Sequence, residues 1–263
     1  MTDDGTLLEG KKGLVFGIAN QRSYAYYITK KILEAGGEPH FSHLPGEKME
    51  RRLVDATSDL GLEDPWMEPC DVSEDEHLDN VFDRYADEIG ELDFVVHSVA
   101  FADRDYLKDG NFWETPREAW TEALEISAYS LVAMAQRAAP LMDGNGSIVS
   151  MTYYGGEKVV PGYNIMGIAK AALEHSTRYL AADLGEKGVR VNTISGGPLK
   201  TAAAMAVGGI REMFDIQEER APLGRNIEGD EVGDTVAFLL SDRASAITGE
   251  TVHVDAGFSV TGM

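Results

Sequence analysis

The chain has 263 residues, enough for one large α/β domain or two small ones, with a sizeable core. Its 45 acidic residues against 23 basic ones set a formal net charge of −22, which argues against nucleic acid and anionic membrane as partners. A single cysteine, Cys70, excludes an internal disulfide and a multi-cysteine metal site. The acids are scattered through GLEDPWMEP, DVSEDEHLDN and DRYADEIGELD, which predicts a solvated acidic surface suited to high salt rather than one docking patch. No apolar run is long enough to span a bilayer, and MTDDGTLLEG lacks a basic-then-apolar signal, so a cytoplasmic enzyme is expected.

From Lys12 to Gly17 a short apolar run ends in glycine, as a buried parallel strand does. Ser23 is placed to cap the next helix, in which Ala25, Ile28, Ile32 and Ala35 recur at helical spacing. Gly36-Gly37 ends that helix, and a second strand is expected over Pro39 to His43. The first turn, GIANQRSYA, matches G-x-G-x-x-G poorly: Gly17 is there and the other two glycines are not. Ser23 and Tyr24 can still present backbone N–H groups to a pyrophosphate at the helix start, although a plain tight turn explains the pattern equally well. Leu44 stands where a ribose-binding acid often ends the second strand.

WMEPCDV predicts a third strand ending at Asp71, with Ser73 capping a helix through Ile89. LDFVVHSVA predicts a fourth, ending at Ser98-Val99-Ala100. Pro116 to Met142 predicts one long helix, small and apolar around most of its circumference, that covers the sheet and meets another subunit. A fifth strand, Ile148 to Thr152, breaks at Gly155-Gly156, and Tyr153 lies at its C-terminal end, where open α/β sheets place ligands. After Pro161-Gly162 a long helix carries Tyr163 and Lys170, seven residues apart and nearly on one face.

GVRVNTIS, 188 to 195, is the sixth strand, closed by GGPLKT. The Ala-, Gly- and Met-rich stretch after it suits a mobile apolar lid around 199–218, or an ordinary surface helix. EGDEVGDTVAFLLSD reads as an amphipathic helix and ITGETVHVDAG as a seventh strand. His97, His175 and His253 lack metal-ligand spacing and read as structural, so no metal is expected. No linker or repeat interrupts the alternation. The expectation is a Rossmann-like, doubly wound, seven-stranded parallel sheet with helices on both faces, in one domain over 1–263.

Together, Gly17-Ile18-Ala19 with Ser23, Asp71-Val72, Ser98-Val99-Ala100-Phe101-Ala102, and Tyr153 with Tyr163-x6-Lys170 resemble the short-chain dehydrogenase/reductase superfamily. Within it they resemble the bacterial NADH-dependent enoyl-[acyl-carrier-protein] reductases. The likeness extends through GVRVNTISGGPLKT and GETVHVDAGFS, along essentially the whole chain. The superfamily's ordinary Tyr-x3-Lys pair is absent: four residues after Tyr163 stands Gly167, and four after Tyr179 stands Asp183.

The resemblance implies that Tyr163 donates a hydrogen bond to a thioester oxygen, that Lys170 holds the nicotinamide ribose, and that Tyr153 lines the same pocket. It implies Asp71 and Val72 at the adenine, and Ser98, Val99 and Ala100 at the ribose and nicotinamide side. Leu199, Lys200, Thr201, Ala202 and Ala203 would lie at the amide and diphosphate, and Ala102 at the substrate. It also implies an enoyl-acyl-carrier-protein substrate and a homotetramer. Ala100 replaces a usual glycine, which would crowd the nicotinamide or inhibitor pocket; Leu44 replaces a usual adenine-side polar residue, which leaves NADPH beside NADH as cofactor. A short-chain ketoreductase or hydroxy-dehydrogenase, with Thr152 as a loose stand-in for its serine, and a non-catalytic NAD(P)-sensing protein are the rival readings.

Overall fold

The computed structural model describes residues 6–199 and 210–261. Short apolar runs form the strands β1 (Lys12–Phe16), β2 (Glu38–His43), β3 (Met67–Pro69), β4 (Phe94–His97), β5 (Ser147–Thr152), β6 (Arg190–Gly196) and β7 (Thr251–Val254). They pair in parallel in the order β3-β2-β1-β4-β5-β6-β7, a Rossmann-like sheet. The order turns back at β1 and β4, so a crevice opens beyond their C-terminal ends.

Side-chain alternation along the strands builds a core on each face of the sheet. Val15, Phe41, Val96, Val149 and Ile194 point to one side, against helices α1 (Tyr24–Glu34), α2 (Glu47–Asp59) and α8 (Gly229–Leu240). Leu14, Phe16, Val95, Ile148 and Val191 point to the other, against α3 (Asp75–Glu88), α5 (Ser130–Ala138) and α6 (Asn164–Leu184). Burying each such side chain contributes about 1.5–3 kcal/mol, so a one-residue slip of any strand is heavily disfavoured.

Several local expectations shift. The sequence reading passed over α2: only Leu53, Ala56 and Thr57 of its 13 residues are buried, too thin a stripe to stand out among charges. Ser23 takes the capping position of α1, but its hydroxyl donates to Asn20 O at 2.7 Å instead of capping. Ser73 does not cap α3. Glu74 precedes that helix, and the Ser73 hydroxyl donates to Asp71 Oδ1 at 2.7 Å.

The helix expected over Pro116 to Met142 is a composite. It comprises α4 (Arg117–Leu124), a π-helical segment (Glu125–Tyr129), α5 and a 3-10 turn (Ala139–Leu141). Among the described residues the remaining α-helix, α7, spans Ile210–Arg220.

Candidate active site

Parallel register brings the C-terminal strand ends level, with Phe16 opposite His97 and His97 opposite Ser150. The chain leaves β1 through Gly17 at φ +104°, where a Cβ would lie 2.1 Å from Ser98 O. Only glycine fits that closeness, so this first turn sits directly against the end of β4. The Tyr24 hydroxyl donates to Gly197 O, tying the start of α1 to the end of β6. The first turn of α1 holds no acidic residue, so its positive end is not neutralised by its own side chains.

Over these ends lies a cavity of about 980 Å³, large for a small-molecule site. Gly17, Ile18, Ala19, Ser23 and Tyr24 line it from the first turn, and Leu44 from the end of β2. Asp71 and Val72 line it beyond β3, and Ser98, Val99, Ala100 and Ala102 beyond β4. Tyr153, Tyr163, Lys170 and Leu199 complete the expected set. Lys200, Thr201, Ala202 and Ala203 lie outside the described residues, as does half of the expected lid; of that lid's remainder, Leu199 and Met213 line the cavity.

Sequence reasoning missed Arg104, Leu107, Ile126, Met166 and Gly197, which also line the cavity. Met166 had a signal, three residues after Tyr163 and four before Lys170. Arg104 opens a 3-10 turn, Arg104–Tyr106, and Leu107 closes it, a piece too short for any periodicity to point inward.

Tyr163 is not inside α6. It is the last residue of the turn before it, with its N–H bonded to Val160 O at 3.0 Å, and Asn164 follows at φ +44°. The turn therefore aims the phenol, and a helical-face argument from the seven-residue spacing does not. The Tyr153 and Tyr163 rings meet edge to face, with centroids 5.1 Å apart. Neither hydroxyl has a hydrogen-bond partner among the described residues. Burial pushes the Tyr153 phenol up to about 12 and raises Tyr163 further, helped by the neighbouring Tyr153, so both are proton donors at neutral pH.

Lys170 is buried and donates to Met151 O at 2.8 Å, which leaves two N–H bonds for a ligand. Burial lowers its ammonium to about 8, opposed by Glu174 one turn on. Burial, then the Lys170 charge, pushes His97 down to about 3, and that neutral ring contacts Ser130 Oγ at 2.8 Å. Thr152 is committed elsewhere, donating to Glu174 Oε1 at 2.7 Å.

Close packing fixes the turn after β5 onto α6. A Cβ on Gly155 would lie 2.3 Å from the Tyr163 ring, and one on Gly167 would lie 2.6 Å from Gly155 O. A second hollow, beside the β2 end, is walled by Leu44, Pro45, Asp71, Glu74, Glu76 and His77, three carboxylates and no lysine or arginine.

A doubly wound sheet, a glycine turn into an uncapped helix, and a tyrosine–lysine pair over one cavity define a nicotinamide-dependent oxidoreductase. The family model described as "Enoyl-(Acyl carrier protein) reductase" matches residues 17–259. The NADH-dependent enoyl-[acyl-carrier-protein] reductase of Synechocystis sp. is 46% identical over 258 residues, covering 97% of this chain and 99% of that one. The crystal structure of the Bacillus cereus enoyl-acyl carrier protein reductase, with NADP+ and indole naphthyridinone, superposes with a TM-score of 0.94 at 45% identity, covering 98% of this chain and 99% of that one. That of the Anaplasma phagocytophilum reductase in complex with NAD gives 0.93 at 44%, covering 98% and 97%. The chain belongs to the enoyl-(acyl carrier protein) reductase family.

Proposed function

We propose that this protein reduces the trans-2 double bond of an enoyl-[acyl-carrier-protein] thioester with NADH, a step of type II fatty-acid synthesis. The observation that carries the reading is the packing at Gly167. The position four residues after Tyr163 has no room for a side chain, and the lysine that shares the cavity with Tyr163 is Lys170. A dinucleotide suits the cavity, because Gly17 brings the first turn onto the strand ends and the start of α1 carries no acid.

A reduced nicotinamide held there would supply the hydride for C3 of the enoyl thioester, and a proton from solvent would complete the reduction at C2. Tyr163, protonated at neutral pH, donates a hydrogen bond to the thioester oxygen, where negative charge develops; such preorganised donors are worth about 3–4 kcal/mol. Lys170, oriented by Met151 O, presents its remaining N–H groups to the nicotinamide ribose hydroxyls. Tyr153 packs edge to face on Tyr163 and limits the ring's movement. Asp71 and Val72 bound the adenine end, Ser98, Val99, Ala100 and Leu199 the nicotinamide end, and Ala102 the acyl chain. The carboxylates beside Leu44 disfavour the 2′-phosphate of NADPH, so NADH is the preferred cofactor.

A ketoreductase reading loses support because the Thr152 hydroxyl is bound to Glu174. The deciding measurement is cofactor oxidation at saturating crotonyl thioester beside an acetoacetyl-thioester control, with NADH and NADPH in parallel. Enoyl turnover with NADH is expected; turnover of the ketone alone, or binding without turnover, would overturn the reading.

A cytoplasmic homotetramer completes the proposal. Tyr129, Ile168 and Tyr179, exposed along the π segment and α6, are the apolar surface that supports subunit contact. Light scattering after size-exclusion chromatography gives the stoichiometry.

A further inference from the structure

Asn164 opens the helix that follows Tyr163, and its φ of +44° is unusual for a residue with a side chain. Glycine, asparagine and aspartate tolerate that backbone best, and of these asparagine alone brings two N–H donors. They are used. Asn164 Nδ2 lies 2.8 Å from Tyr106 O, 2.7 Å from Lys108 O and 2.9 Å from Asn111 Oδ1. Asn111 in turn donates to Asp105 O at 2.8 Å, which extends the stitch through the loop. One side chain thus holds both ends of the segment 105–111 against the start of α6.

That segment contributes Leu107 to the wall at the substrate end of the cavity. Leu107 is buried in a small cluster with Ala102, Ala123, Ile165 and Met166, and Tyr163 packs on its edge. Arg104, Leu107, Met166 and Tyr163 all line the cavity. A displacement of the segment would therefore widen the acyl pocket without touching Lys170 or the first turn at Gly17.

We infer that Asn164 is a positioning residue, clamping the 105–111 loop onto the catalytic helix and so setting the acyl pocket beside Tyr163. The inference deepens the enoyl-reductase reading and rests on it for its kinetic consequence. Asn164→Gly keeps the left-handed backbone and removes the clamp; Asn164→Asp keeps size and backbone but turns an acceptor toward three acceptors.

For Asn164→Gly, KM for a long enoyl thioester should rise about tenfold or more while kcat falls less than about threefold, because only binding of the acyl chain is loosened. The dissociation constant for NADH should stay within about twofold, since the cofactor end is untouched. Amide exchange across 105–111 should quicken about tenfold or more as the local opening becomes easier. Asn164→Asp should show the same split, larger. Unchanged KM with unchanged loop exchange in Asn164→Gly overturns the clamp, and so does a parallel loss of NADH affinity. If the unsubstituted protein reduces no enoyl thioester, the enzymatic reading fails, and the exchange measurement still decides whether Asn164 holds the loop.

Discussion

Gly155 and Gly167 place Tyr163 more strictly than any hydrogen bond does, because each approaches a neighbour closely enough to exclude a Cβ. Gly167→Ala should push the turn carrying Tyr153 off the helix and lower kcat/KM by about 100-fold, the scale expected for a displacement near 1 Å. NADH binding, measured by fluorescence, should persist. Tyr163→Phe keeps the ring packing and removes the donor, so kcat should fall about 100- to 1,000-fold with little change in KM.

Lys170 sets the pH response. Its pKa is lowered to about 8 by burial, so it is charged below that value and loses its charge as pH rises through it. The kcat/KM for NADH should therefore decline above pH about 8, as it reports the free enzyme. Lys170→Arg should abolish that decline, since guanidinium stays protonated. The raised Tyr163 phenol contributes no alkaline limb in the same range.

At the scale of elements, the π segment between α4 and α5 is the feature that binary patterning could not reveal. One extra residue per turn there turns Ser127 inward, where its hydroxyl donates to Phe101 O and accepts from Phe101 N–H, both at 2.9 Å. It thereby anchors the loop that carries Ala100 and Ala102 into the cavity. Ser127→Ala would remove both partners of the part-buried Phe101 N–H and C=O and should cost about 1 kcal/mol in urea unfolding. NADH affinity should weaken as the loop at Ala100 loosens.

Across the whole molecule, 45 acidic residues face 23 basic ones, and the excess repels itself at low ionic strength. Salt screens that repulsion, so the melting temperature should rise between dilute buffer and molar KCl; equal melting temperatures would refute a salt-adapted surface. The architecture was legible because β1, β4 and β5 are short apolar runs, ending at Phe16, His97 and Thr152, and periodic helical stretches alternate with the strands. The helix α2 was not, since three buried residues among charges leave almost no periodic signal.

The amino-acid sequence by itself determined the doubly wound sheet and the pairing of Tyr163 with Lys170. Alternation, periodicity and residue spacing are local properties, and burial of apolar faces makes them cooperative. Tertiary structure alone decided how that pair is aimed. Tyr163 lies in a turn before α6, and its direction comes from the packing at Gly155 and Gly167 and from the left-handed Asn164, whose side chain reaches Tyr106 O and Lys108 O in a segment distant in the chain. Arg104 and Leu107 enter the cavity from a single 3-10 turn, too short to carry a repeat, and Asn164 bonds the backbone of Tyr106 and Lys108 on either side of Leu107.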